Sequence, residues 1–237
     1  VGRWLNGVQP RPRTVGHITR ALSRRLGRTV TPADAGLTAP AAHPIELGLA
    51  YPSRTEDCLT VVENLWDADL TATPPGSAPP HASSWAEAAL AWLVRPDDGP
   101  LPRASEGRRV GVTDVVAIRS TTAAFSQLDG CFGGAHARRA VAQYLRSDVA
   151  PLLRGHYTET TGRQLFSAAA EATHLLAWMS YDAGVHGMAQ RYFIQTLRLA
   201  QAADDVLLAA STPGCGAKSF LLVNRGLWWW GARSGCG

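Results

Sequence analysis

The sequence has almost no lysine, no long apolar run and no cysteine spacing typical of a metal site or a disulfide framework. All but one of its 23 basic residues are arginine, a skew that is typical of a GC-rich genome and says little about chemistry. No apolar stretch reaches the roughly 18 residues of a membrane span, so we expect no transmembrane helix and no membrane partner. The four cysteines are widely scattered, which favours reduced thiols in a cytoplasm; they are Cys58, Cys131, Cys215 and Cys236.

Catalytic and metal-binding patterns are also missing. The histidines show no metal-ligand spacing, and no pair of carboxylates stands with a nucleophile or a base. The groups considered are His156, His174, His186, Asp148, Glu159 and Glu171. We therefore expect no enzyme, no metal and no cofactor.

Charge is unevenly distributed along the chain. The formal net charge is only +4, too small to indicate nucleic-acid binding by itself. Residues 1–30, however, hold seven arginines and no acidic residue. Local basicity of this kind is expected of a surface that binds phosphate groups.

Helical periodicity dominates, and strand-like alternation of useful length is missing, so we predict an all-α fold. Four regions are expected: a first unit at 1–37, an irregular helical and Pro-rich linker region at 38–110, a helical domain at 111–210 and an atypical tail at 211–237. The predicted helices are about Thr14 to Leu26, Thr55 to Leu70, Ser84 (as the start of a capping box) to before Pro96, 113–128, 135–153, 160–183 and 187–207. Gly130, Gly133, Gly134, Gly155, Gly184 and Gly187 are expected to separate the last four.

The N-terminal unit carries a recognisable pattern. It consists of Val1-Gly2-Arg3-Trp4-Leu5-Asn6-Gly7, then Pro10, Ile18 and Ala21-Leu22. This pattern resembles the second half of the lambda-repressor-like helix-turn-helix family, in which an Arg-Trp pair often ends the recognition helix. A recognition helix lies in the DNA major groove, while flanking polar groups contact phosphates.

The resemblance implies particular DNA contacts. Arg3 and Asn6 would lie near DNA, and Gln9, Arg11 and Arg13 would contact phosphates from the following loop. The two helices that precede the recognition helix in the family have no counterpart here, so we expect the natural N-terminus to lie upstream and this truncated unit to bind DNA weakly at best. The alternative is a basic, solvated helical hairpin.

A second pattern lies near the end of the helical domain. Leu176, Ala177, Gly184, Ala189, Phe193 and Leu197, together with Ser180, match the small and large positions of a tetratricopeptide unit. Small residues there let two antiparallel helices approach, and the aromatic residue fills the groove to the next pair. A weaker echo occurs at Ala140 and Tyr144. An ordinary helical hairpin in a bundle is the alternative.

The run from Phe132 to Leu153, with Leu165 to Glu171 and Trp178 to Gly184, resembles a group of streptomycete regulators. In this group, which includes negative regulators of sporulation and antibiotic production, a helix-turn-helix precedes a tetratricopeptide-like region. The resemblance implies a DNA-binding transcriptional repressor whose helical domain mediates self-association or partner sensing. The competing interpretation is a helical protein-interaction module without DNA binding.

Two further features allow more than one interpretation. His136, Arg138 and Arg139 form either an anion or partner site or, as we expect, a solvated face. The tail at 211–237 holds the only lysine and three of the eight tryptophans, and the family resemblance ends before it. We expect a frameshift or truncation there; the alternative is a short tail that binds a partner or a membrane.

Overall fold

The computed structural model describes residues 12–26, 46–70, 80–94, 100–102 and 108–212. Within these ranges the chain is helical, and its one β-type pairing is an isolated bridge between Arg109 and His156. The all-α prediction is therefore confirmed. The chain divides into two compact units, Val1–Pro44 and Ile45–Gly237.

The helices follow in chain order. They are α1 (Pro12–Leu26), α2 (Thr55–Leu70), α3 (Ala82–Val94), α4 (Val112–Phe132), α5 (Gly134–Tyr144), a π-helical turn (Leu145–Val149), α6 (Ala150–Leu153), α7 (Glu159–Asp182), α8 (His186–Ala203) and α9 (Val206–Ser211). The described part of the first unit is α1, and the other helices belong to the second. Helices α2 and α3, which lie in the region predicted as a linker at 38–110, thus belong to the same compact unit as the helices after position 110.

Most predicted helices are confirmed, and α2 has the predicted bounds. Acidic side chains in its first turn, Glu56 and Asp57, complement the positive end of the helix dipole. Helix α3 begins two residues before the predicted Ser84, whose side chain is buried. Helix α4 runs through Gly130, which was predicted to break it, and ends at Gly133 with φ +82°.

Two departures have local causes. The predicted helix 187–207 was wrong at its end, because Asp204 adopts the left-handed conformation (φ 61°) and ends α8 at Ala203. The Asp205 carboxylate then accepts a hydrogen bond from the Leu208 amide at 3.0 Å and starts α9. The predicted helix 135–153 contains the π-helical turn, which ends two residues before Pro151, a residue without an amide hydrogen.

Helix α8 lies at the centre of the second unit. Every residue from Gly187 to Ala203 is buried, and α8 packs against α7, α2, α3 and α9. Helix α5 packs on α7 and α2 but hardly on α8. Helix α2 therefore bridges α5 and α8.

A buried ion pair fixes this bridge. Arg138 on α5 donates from Nη1 to both carboxylate oxygens of Asp69 on α2, at 2.7 Å each. The Tyr192 hydroxyl on α8 donates to Asp69 Oδ2 at 2.8 Å. The Asp69 side chain is fully buried, and that of Arg138 is 11% exposed. Burial first, and the Asp69 carboxylate second, raise the pKa of Tyr192 well above its ordinary value. Three helices thus meet at one satisfied carboxylate.

Replacing Asp69 by Ala should lower the free energy of unfolding by about 3–5 kcal/mol, because Arg138 would be left charged, buried and unpaired. Asp67→Ala is the matched control. Asp67 is on the same helix and pairs with Arg146 at 2.6 Å, but its side chain is 51% exposed, and such surface pairs contribute roughly 0–1 kcal/mol. Urea unfolding of both variants tests the difference, and equal losses would contradict this role for Asp69.

Candidate functional site

The predicted DNA contacts lie at the N-terminus. Arg3, Asn6, Gln9 and Arg11 fall outside the described residues. Arg13 belongs to α1, but its side chain falls outside them as well. The geometry of these five contacts therefore stays a prediction, and α1 supplies the structural evidence about the N-terminal unit.

Helix α1 presents a basic face. His17, Arg20, Arg24 and Arg25 are exposed, whereas Ile18 and Leu22, which lie four residues apart, are partly buried. Residues 12–26 include no acidic side chain. Arg24 and Arg25 lie in the last turn, where the negative end of the helix dipole stabilises cations. The exposed guanidinium groups of this face are of the kind that binds phosphate oxygens.

The predicted packing residues of the helical domain lie at the pair formed by α7 and α8. Leu176, Ala177, Ala189, Phe193 and Leu197 are all buried. Gly184 lies in the turn between the two helices with φ +76°, a conformation that favours glycine. Ser180 is buried too and donates to the Leu176 carbonyl oxygen at 2.7 Å.

The weaker repeat-like pattern, at Ala140 and Tyr144, has only one of its two residues packed. Tyr144 packs against Phe125, with ring centroids 5.9 Å apart, but Ala140 is exposed. The small residue that brings α5 close to α7 is Gly134: a Cβ there would lie 2.7 Å from the Met179 carbonyl oxygen. The register of small positions in α5 was therefore mispredicted.

An aromatic cluster surrounds His174 on α7. The Trp178 ring lies 5.2 Å from Phe193 and the His174 ring 5.7 Å from Phe193, both edge to face. Trp178 Nε1 donates to His174 Nε2 at 3.2 Å. Burial lowers the pKa of His174 to about 4. The imidazole is therefore a neutral hydrogen-bond acceptor at neutral pH and part of the packing.

The basic cluster at the start of α5 was expected to be solvated, and this was wrong for Arg138, which makes the buried ion pair with Asp69. Arg139 and His136 are exposed, and Arg139 donates to the Leu70 carbonyl oxygen at 2.8 Å. Both arginines thus contact the end of α2. The described residues contain no group of three side chains that could hold a metal ion.

Sequence reasoning missed a row of polar side chains on α8, which we call the α8 ladder: Gln190, Arg191, Gln195, Arg198 and Gln201. All five are buried. Four of them contact residues 46–55, and Gln190 binds the backbone of His81, donating to its oxygen at 2.5 Å and accepting from its nitrogen at 2.8 Å. From Arg191 to Gln201 these residues recur every three or four positions, and this spacing was the available signal. Periodicity does not show which segment such a face contacts.

Comparison with known protein families gives a match in the N-terminal unit. Residues 1–38 match the family described as SP15 N-terminal domain. No curated protein matches the chain, and no solved structure matches it. In the part of the chain that the structure describes, no helix is long and apolar enough to cross a membrane.

Replacing His174 by Gln should make folding less sensitive to acid. Burial holds the pKa of the folded His174 near 4, below its ordinary 6.5. Between these values the unfolded chain binds a proton that the folded chain does not, so the free energy of unfolding falls as the pH falls, by at most about 1.4 kcal/mol per pH unit.

Urea unfolding at about pH 7.5 and about pH 5 should show the wild-type chain losing roughly 2 kcal/mol more than the His174→Gln variant. His136→Gln makes the same change at an exposed histidine and serves as the control. Identical pH sensitivity of the wild-type chain and the His174→Gln variant would refute a neutral His174 in the folded chain.

Proposed function

We propose that this chain is part of a DNA-binding transcriptional regulator, a repressor of development or secondary metabolism, with a helical domain for self-association or partner sensing. One observation carries the proposal: an acid-free helix with an exposed basic face, α1, lies in a compact unit of its own. Arginine on such a face suits the phosphate backbone, which supplies much of the affinity of DNA-binding proteins.

The extent of the N-terminal unit supports a separate module. The family match spans residues 1–38, and the compact unit ends at Pro44, so both divide the chain at nearly the same place. In the proposed helix-turn-helix, α1 is the helix after the recognition helix and packs its partly buried Ile18 and Leu22 inward. Arg3 and Asn6 then lie near bases, and Gln9, Arg11 and Arg13 contact phosphates.

The helical domain is proposed to be tetratricopeptide-like. Supporting this, α7 and α8 pack along each other, join at a glycine with positive φ, and bury the small and aromatic residues expected at such a pair. Helices α4 and α5 form a preceding pair joined at Gly133. The helices of 24 and 18 residues in α7 and α8 exceed those of a standard unit of about 34 residues in all. The proposed repeat is therefore an elongated one.

Salt-dependent binding tests the DNA proposal. The chain should bind random-sequence duplex DNA more tightly at about 50 mM than at about 200 mM salt, because bound phosphates release counterions. Replacing Arg20 and Arg24 by Ala should lower the slope of log affinity against log salt by roughly 2, about one per lost phosphate contact. Replacing Arg3 and Arg11 by Ala should weaken binding as well.

Fluorescence anisotropy of labelled DNA measures both effects. Arg54→Ala is the control, because it removes one exposed arginine, with a side chain 71% exposed, from the other compact unit. Binding that does not weaken as the salt concentration rises, or that falls equally in all variants, would reject the DNA proposal.

One observation favours the alternative, a helical interaction module. Helix α3 exposes Leu90, Leu93 and Val94 by 62%, 67% and 74%, and Glu87 is its one charged residue. Exposed apolar patches mark association sites. A nearly uncharged stripe is self-complementary across a two-fold axis, so we assign it to a second copy of the chain.

Sedimentation equilibrium should therefore find a dimer that the paired substitutions Leu90→Glu and Leu93→Glu convert to a monomer. Leu207→Glu, at a leucine on α9 that is 85% exposed, is the control and should leave the dimer intact. A monomeric wild-type chain would refute self-association through α3.

A further inference from the structure

The outward side of α4 exposes apolar side chains and little charge. Val112, Val116, Leu128 and Phe132 are all exposed. Arg119 is the one charged residue among the exposed positions of α4. The solvent-facing side of a helix usually carries charged and polar side chains, and exposed apolar surface marks sites of association. This side of α4 is therefore better suited to a protein segment than to water.

The start of α9 lies beside the middle of α4. The Ser167 hydroxyl on α7 donates to Asp205 Oδ2, at the start of α9, at 2.9 Å. The same oxygen accepts from Arg119 Nη2 on α4 at 3.1 Å. Helix α9 has six residues and is only about 9 Å long. The chain after Thr212 therefore continues from a point close to α4.

Apolar side chains are exposed on both helices at this junction. Val116 lies three residues before Arg119, so the two are neighbours on the surface of α4. On α9, Val206 and Leu207 follow Asp205 directly and are exposed. We call these exposed apolar residues of the two helices the α4–α9 surface: Val112, Val116, Val206 and Leu207.

The border of the α4–α9 surface is acidic. Its charged side chains are four carboxylates and two guanidinium groups: Glu159, Glu171, Asp204 and Asp205 with Arg119 and Arg163. Arg119 pairs with Glu171 at 3.1 Å, and Arg163 pairs with Glu159 and Asp204, both at 3.4 Å. The carboxylates outnumber the guanidinium groups, so a segment that is both apolar and basic complements this surface.

The sequence that follows α9 has both properties. Residues 213–237 lie outside the described residues; they hold three basic residues, Lys218, Arg225 and Arg233, and no acidic residue. Their apolar residues form two runs, Phe220 to Val223 and Leu227 to Trp230. The residues between Thr212 and Phe220 span at most roughly 25 Å, and α4 is about 30 Å long. The first apolar run can therefore reach α4.

We propose that residues 213–237 dock on the α4–α9 surface of their own chain. The apolar runs cover Val112 and Val116, and the basic residues lie beside the carboxylates of α7 and α9. Of the two interpretations of the tail, this is the one in which it binds a partner, and the partner is the chain's own helical unit. The docked tail closes this side of α4 to other proteins. The inference is independent of DNA binding and of self-association through α3.

Tryptic cleavage of the full chain tests the docking. The tail contains tryptic sites at Lys218 and Arg225, and docking protects them because a protease cleaves the undocked segment. Replacing Val112 and Val116 by Gln removes apolar surface at exposed positions. Cleavage after Arg225, followed by mass spectrometry, should then be roughly tenfold faster, because the undocked fraction rises.

The matched control makes the same change on another helix. Leu93 and Val94 are exposed on α3, and replacing both by Gln should leave the cleavage rate in the tail unchanged. Circular dichroism establishes that both double variants are folded. Equal cleavage rates in the wild-type chain and the two variants overturn the proposal.

The chain's only lysine reports where the tail lies. A carbodiimide joins the Lys218 amine directly to a carboxylate beside it. Docking should link Lys218 to Glu159 or Glu171 on α7 within one chain, and the α4 double variant should lose this link. A Lys218 that links to neither residue, or that links two chains to each other, overturns the proposal.

Discussion

A helix that is buried along nearly its whole length must find partners inside the protein for the charged side chains it carries. Helix α8 carries two arginines and three glutamines on buried positions, and an unpaired charge there would be prohibitively unfavourable. Residues 47–55 and the His81 backbone supply hydrogen-bond partners for all five side chains, although Gln195 Oε1, Gln201 Nε2 and the nearby Thr196 hydroxyl have none among the described residues. The path of the chain just before α2 therefore depends on the buried polar side chains of α8, which bind it. The position of α2 depends on them as well.

Ion pairs within the helical unit neutralise part of its positive charge. Several arginines of the helical unit contact acidic residues of α2: Arg138 binds Asp69, Arg146 binds Asp67, and Arg154 binds Glu63 at 2.7 Å. These ion pairs align α2 with the helical segment from α5 to α6. Within each pair the two opposite charges neutralise each other. Helix α1 has no acidic residue to pair with within its own length. A modest net charge of +4 thus conceals a basic face on α1.

Local signals predicted the helices well, because apolar spacing and capping residues lie within a few positions of what they determine. The bounds of α2 and the glycine turn at Gly184 are examples. Long-range partners could not be predicted. Arg138 was expected to be solvated because its partner, Asp69, is distant in sequence. The polar side chains of α8 gave no sign of their partners, because residues 47–53 are more than 140 positions away. The stop at Asp204 was missed because aspartate also fits a helix. Of the predicted DNA contacts, only Arg13 falls within a described helix.

At α8 the choice of arginine over lysine has a geometric consequence. Arg198 donates through two separate nitrogens, from Nε to Pro52 and from Nη2 to Ser53 and to Thr55 at the start of α2. Lysine, with one compact ammonium group, could not span these acceptors from one position. Whatever sets the number of arginines in the chain, geometry gives this one its use. The planar guanidinium that suits a row of carbonyl oxygens on α8 is also the group that suits a phosphate, which is the ligand proposed for α1.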